Sequence, residues 1–166
     1  MTRGQRTKTS TRKQLLALLI SLGVCFAAAG VGSLFTSMSV TTWYPTLTKP
    51  EWTPPGWVFG PVWSTLYAMM AVAAWLVWRR GGSEAQPALR IFALQLGLNV
   101  LWSVLFFGLR LPGVAFAEII FLWLAIGVTA RVFGRISTSA GLLFVPYFVW
   151  VGFAAILNFA IWRLNA

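Results

Sequence analysis

The chain has 166 residues, of which 58% are hydrophobic and 10% charged, with a mean hydropathy of +0.77. This excludes a disordered protein and argues against a water-soluble domain, in which about 25% of residues are charged. Thirteen Lys and Arg stand against three Asp and Glu, and in so apolar a chain that excess reads as membrane topology, with no call for a nucleic-acid partner.

Residues 1–14 read as a basic tail carrying Arg3, Arg6, Lys8, Arg12 and Lys13, ahead of a single transmembrane domain over residues 15–166. Five apolar stretches, 15–35, 57–78, 88–109, 113–132 and 141–162, approach the ~20 residues that cross a ~30 Å hydrocarbon core. The first is too long for the apolar part of a cleavable signal peptide, and no further soluble domain follows it. Within it, Ala28 and Gly32 form a small-xxx-small pattern that permits close helix approach. Cys25 has no second cysteine to pair with and reads as a packing residue.

The connection over residues 36–56 holds Trp43, Tyr44 and Trp52 among Pro45, Pro50, Pro54 and Pro55. Proline fixes φ and biases its predecessor to extended geometry, so the segment is expected to form an ordered cover on the outer interface. A belt of interfacial aromatics is the other reading. Arg79-Arg80-Gly81-Gly82 closes the second stretch, Leu111-Pro112-Gly113 divides the third from the fourth, and Phe133-Gly134-Arg135 follows the fourth. Pro146 is expected to kink the fifth beside Tyr147 and Trp150.

The pattern specifies an all-α integral membrane protein: a bundle of five transmembrane helices with a long ordered loop between helices 1 and 2. Five crossings place the tail basics with Arg79, Arg80, Arg90, Arg131 and Arg135 on one side, against Lys49, Arg110 and Arg163 on the other. The positive-inside rule then puts the N-terminus in the cytoplasm and the C-terminus outside, in a bacterial cell membrane.

The residue inventory narrows the chemistry. Without histidine there is no His-containing triad and no His-ligated zinc or haem. One cysteine cannot build an iron–sulfur site, and Glu51, Glu84 and Glu118 are too scattered for a hard-metal cage, so no metal site is expected. What remains are aromatics, amides, a lone Glu and the reactivity of a bound molecule.

Those groups fall on shared helix faces. Phe59, Trp63 and Tyr67 follow i, i+4, i+8; Gln95, Asn99 and Trp102 follow i, i+4, i+7; Trp150, Ala154 and Asn158 follow i, i+4, i+8. By chain direction they lie toward the loop side, and buried amides must face the bundle interior or a cavity. Interhelical glue is one reading. With several tryptophans at similar depth, a pocket for a large flat apolar ligand is the better one. Glu118 reads first as a carboxyl that holds helices together near the interface, and second as a coupling site for transport.

The stretches Trp43-Tyr44-Pro45-Thr46-Leu47-Thr48-Lys49-Pro50-Glu51-Trp52-Thr53-Pro54-Pro55, Phe59-Gly60-Pro61-Val62-Trp63 with Leu66-Tyr67, Gln95-Leu96-Gly97-Leu98-Asn99 with Trp102-Ser103, and Pro146-Tyr147 through Trp150 to Asn158 resemble the TspO/MBR family of translocator and tryptophan-rich sensory proteins. The resemblance covers residues 15–165. It implies a five-helix bundle, commonly a homodimer, that binds tetrapyrroles such as protoporphyrin IX, with Tyr44, Trp63, Tyr67, Gln95, Asn99, Trp150 and Ala154 in the pocket. Trp63 and Trp150 match the tryptophans implicated in light-dependent porphyrin breakdown in some bacterial members. Animal members carry a cholesterol motif near the C-terminus in which a tyrosine precedes a basic residue. This chain departs from it, with Phe159 in that neighbourhood and no tyrosine after Tyr147, which argues against sterol recognition by that route.

Three functions follow in order. The first is a tetrapyrrole-binding membrane receptor or sensor, needing no cofactor, with ligand carboxylates reaching toward Lys49. The second is an enzyme that degrades porphyrin in light through Trp63 and Trp150, the ring supplying the photochemistry. The third is a transporter, for which five helices without inverted repeats are a less natural frame.

Overall fold

The computed structural model describes residues 10–166. Arg3, Arg6 and Lys8, and with them most of the expected tail, lie outside the described residues. Ser10 caps the first helix, its hydroxyl accepting from the Lys13 N–H at 3.4 Å, so α1 runs Thr11–Ser39 and begins before the apolar run does. α2 spans Gly56–Arg80, α3 Ala85–Ser103, α4 Pro112–Ile136, the short α5 Thr138–Leu142 and α6 Val145–Leu164. There is no strand among the described residues. Among the described residues, five segments are long and apolar enough to cross a membrane: α1, α2, Ala85–Gly108, α4, and Thr138–Leu164, which joins α5 to α6. The fold is the expected five-span helical bundle of an integral multi-pass membrane protein.

Two features of the helices differ from the reading of the sequence. Pro146 does not kink a continuous helix. α5 stops at Leu142 and α6 starts at Val145, so the proline falls in a first turn, where a missing N–H leaves no bond unmade. The break lets the chain turn tightly: a Cβ on Gly141 would stand 2.7 Å from the Gly134 Cα and 2.9 Å from the Ala130 carbonyl oxygen, so α4 and α5 meet backbone to backbone.

The second feature is a π-helical turn, Val104–Gly108, that continues α3. The Leu109 N–H reaches back five residues to the Val104 carbonyl at 2.8 Å, which inserts one extra residue into the turn. The turn is braced from α1: Ser39 Oγ donates to the Phe107 carbonyl at 2.7 Å and accepts from Arg110 Nε at 3.3 Å. That bond helps hold Arg110 at φ 56°, a left-handed conformation rare outside glycine. Gly108 is required where Phe35 crosses, since a Cβ there would meet its ring at 2.9 Å.

Gly32, half of the small-xxx-small pattern, faces inward; a Cβ on it would lie 3.2 Å from Ser103 Oγ. The close approach that the pattern permits is used between α1 and α3 of one chain. The core fills the space between α2, α3, α4 and α6 with side chains such as Met70, Val77, Phe92, Leu122, Ile126, Phe133 and Phe144. Apolar residues such as Leu15, Leu19, Val24 and Leu34 of α1 are exposed, as a lipid-facing surface allows. By chain direction Arg12, Lys13, Arg79, Arg80, Arg90, Arg131 and Arg135 gather at one end of the bundle, and Lys49, Arg110 and Arg163 lie at the other with the long loop.

Candidate ligand cavity

Beneath that loop the bundle holds a cavity of about 940 Å³. Nine of the ten residues expected to bind ligand line it: Tyr44, Phe59, Trp63, Tyr67, Asn99, Trp102, Trp150, Ala154 and Asn158. Gln95 does not. It is wholly buried one turn below Asn99 on α3, and Tyr147 accepts a 2.8 Å bond from its Nε2. The shared face of Gln95, Asn99 and Trp102 is real, but the cavity ends at Asn99 because Tyr147 fills the space beneath.

The cavity floor is one hydrogen-bonded chain. Tyr67 donates its hydroxyl to Asn99 Oδ1, and Asn99 Nδ2 donates to Tyr147 Oη at 2.7 Å. Trp63 packs above, its ring centroid 5.9 Å from that of Tyr67 and 6.2 Å from that of Tyr147. On the opposite wall Trp102 Nε1 donates to Asn158 Oδ1 at 3.0 Å, and Asn158 Nδ2 donates to the Pro112 carbonyl at 2.8 Å. Trp102 also stacks on Phe106 of the π turn, 5.2 Å between centroids. Phe59 meets Trp150 edge-on at 5.9 Å. The Nε1–H of Trp150 is buried with no partner among the described residues, a donor left over on an aromatic wall.

The loop is an ordered cover, as the prolines imply. A short helical turn at Tyr44–Thr46 sets Tyr44 over Phe106 and Phe107, at 6.4 and 5.8 Å, and Trp43 edge-on to Phe106 at 5.7 Å. Trp52 reaches Phe153 of α6 at 5.8 Å. Lys49 borders the cavity, but its ammonium is committed to the loop, donating to the Tyr44 and Leu47 carbonyls at 2.9 Å each while lying 4.9 Å over the Tyr44 ring. It staples the cover from within, which leaves it a weaker anchor for ligand carboxylates than its sequence position implies. Burial pushes the Tyr44 phenol above its usual range, so the cover presents a neutral hydroxyl.

The cavity edge between α1 and α2 is built from small residues. Gly30, Ser33 and Ser37 of α1 and Gly56, Gly60 and Ser64 of α2 border the cavity and are exposed. A Cβ on Gly30, Gly56 or Gly60 would meet nothing within 4 Å. Gly60 and Ser64 lie one and two turns into α2, roughly 6–12 Å below its start, so this small-residue edge continues below the loop. The whole α1 contribution, with Phe26 and Thr36, was absent from the sequence reading. So were Phe106 and Phe107. The cluster Ser33, Thr36 and Ser37 in an otherwise apolar helix was the available signal for α1; nothing in the sequence announces the π turn.

Glu118 is buried, and neither carboxyl oxygen has a partner among the described residues; it does not line the cavity. Trp123 is not on the wall either. It stacks on Phe148 at 4.4 Å and donates to the Phe148 carbonyl at 3.0 Å, fastening α4 to α6. The cavity lining therefore holds no carboxylate, thiol or imidazole. It offers flat aromatic surfaces, a few hydroxyls and amides, and one lysine.

A multi-pass helical membrane protein with a tryptophan-walled cavity under a proline-rich cover is the class defined by these features. The chain belongs to the TspO/MBR family, whose model matches residues 21–163. It is 43% identical over 157 residues to the tryptophan-rich protein TspO of Chlorobaculum tepidum, covering 92% of this chain and 98% of that protein. It is 38% identical over 143 residues to the protein CrtK of Rhodobacter capsulatus, with 85% and 88% covered. With the human translocator protein it shares 39% identity over 148 residues, covering 87% and 85%.

Proposed function

We propose that the protein is a membrane receptor that binds tetrapyrroles such as protoporphyrin IX in the covered cavity, regulating or moving them. The observation that carries the reading is the cavity itself: about 940 Å³, walled by Phe59, Trp63, Tyr67, Trp102 and Trp150, inside a membrane-spanning bundle. Its volume is at the upper end of the ~300–1,000 Å³ range of small-molecule sites, which suits a large flat ring. The names of the relatives, sensory and translocator, agree with a receptor or carrier role. In this reading the covered end faces outward from a bacterial cell membrane and the chain works as a homodimer.

Titration of the purified protein with protoporphyrin IX in darkness is the test. Saturable quenching of tryptophan fluorescence at one ligand per chain is expected; its absence overturns the reading. Trp63 and Trp150 on one cavity favour a second reading, light-dependent oxidation of the bound ring by molecular oxygen. Illumination then separates the two: lasting loss of the porphyrin absorption band with substoichiometric protein marks turnover, and unchanged absorption marks a binder.

A further inference from the structure

Among the described residues, the loop over the cavity is tied to the rest of the bundle by one polar link. Asn165, just past the end of α6, accepts from the Thr48 N–H through Oδ1 at 2.9 Å and donates from Nδ2 to the Thr48 carbonyl at 2.9 Å. The same Nδ2 also reaches the Ile161 carbonyl at 2.7 Å, and the Asn165 backbone N–H closes on the Trp162 carbonyl at 3.2 Å. The side-chain amide thus pairs with both backbone groups of Thr48 as a neighbouring strand would, while it caps the helix that carries Trp150, Ala154 and Asn158.

Among the described residues, the other hydrogen bonds of residues 41–54 close within five positions along the chain: Trp43 to Ser39, Thr46 to Trp43, Thr53 to Pro50, Lys49 to Tyr44 and Leu47. Those bonds shape the loop but do not dock it. Ring contacts such as Trp52 on Phe153 dock it without directionality. Thr48 is also the residue before Lys49, so the linked point adjoins the internal staple of the cover.

We propose that Asn165 is the latch of the cover, a positioning residue that holds the loop on α6 and sets how fast the cavity exchanges its contents. Its bearing on ligand exchange rests on the proposed function; its bearing on the loop does not. A primary amide is needed because Thr48 requires one donor and one acceptor from the same group. Aspartate keeps only acceptors and would oppose the Thr48 and Ile161 carbonyls. Leucine keeps the shape and neither bond. Asn165 is exposed at a helix end, so these replacements leave the bundle folded.

Hydrogen exchange of the full chain in lipid nanodiscs tests the latch, with release of preloaded protoporphyrin IX to excess vesicles as the second readout. In Asn165→Leu and Asn165→Asp the Thr48 amide is expected to exchange about tenfold faster or more, with the α2 and α4 amides unchanged. Release is expected to quicken several-fold in the same variants. Unchanged exchange at Thr48 overturns the latch. Faster exchange with unchanged release overturns its control of the cavity. If the unaltered protein fails to bind protoporphyrin IX at all, the proposed function falls, and Thr48 exchange alone decides the latch.

Discussion

Trp102 and Asn158 satisfy each other across α3 and α6, the indole N–H donating to the amide oxygen at 3.0 Å. Both line the cavity, yet their polar groups are turned to the wall's own construction. Asn158→Leu orphans the Trp102 N–H and removes the side-chain bond to the Pro112 carbonyl. It is expected to lower stability by about 1–2 kcal/mol, read as a fall in the thermal midpoint in detergent, with a smaller effect on ligand affinity.

Trp63 and Trp150 stand on different helices and face one space. Replacing both with Phe removes indole surface and the free Trp150 N–H while keeping an aromatic ring at each place. Affinity for protoporphyrin IX is expected to fall by up to about tenfold, because part of the roughly 0.5–1.5 kcal/mol of each aromatic contact survives on the smaller ring. Unchanged affinity and quenching would place the ligand elsewhere.

The small residues at the α1–α2 edge of the cavity make a kinetic prediction. Gly60→Phe puts a ring at that edge, where its Cβ meets nothing within 4 Å, and an unchanged thermal midpoint checks that the bundle is kept. Association and dissociation should slow together, with little change in their ratio, when ligand is presented in vesicles. A slowed association with unchanged dissociation would show that the ring disturbs the site and not the passage.

Gly134 and Gly141 face each other and yet are not equivalent. A Cβ on Gly141 runs into backbone at 2.7 Å, whereas one on Gly134 has its nearest neighbour at 3.8 Å. Gly141→Ala should cost about 1–3 kcal/mol or more, through forced separation of α4 and α5. Gly134→Ala should be neutral or slightly stabilising, by up to ~1 kcal/mol, because alanine favours the helix. Thermal unfolding of the pair separates them.

Glu118 is buried with no hydrogen-bond partner among the described residues and does not line the cavity. Glu118→Gln removes a charge that would have to be desolvated and is expected to leave the midpoint unchanged or raised, with ligand affinity intact. Loss of tetrapyrrole flux into liposomes in this variant, with binding kept, would return Glu118 to a coupling role.

The parts of this molecule that were legible in the sequence are those written as periodicity or stiffness. Hydropathy gave five spans because lipid leaves a helix no other way to satisfy its backbone. Pro45, Pro50, Pro54 and Pro55 announced the ordered cover, and the spacings on α2, α3 and α6 named most of the wall. Gln95 falls outside the cavity lining because helical spacing tells which residues share a face and not where a neighbour such as Tyr147 closes the space. The π turn was invisible, since one extra residue in a helix leaves no mark in composition. α1 was missed because most of its share of the wall is small residues such as Gly30, Gly32, Ser33 and Ser37, which contribute by what they leave open.

The cavity lies inside a membrane-spanning bundle, so the reservoir beside it is the bilayer as much as water. A ring that partitions into the bilayer is delivered by diffusion in two dimensions, and its concentration there is the one that a site within the membrane meets. Each tenfold in partition acts as about 1.4 kcal/mol of apparent affinity without one new contact. Apparent dissociation constants measured in micelles should therefore shift with detergent volume. Two ligands of equal fit should rank by their solubility in the membrane.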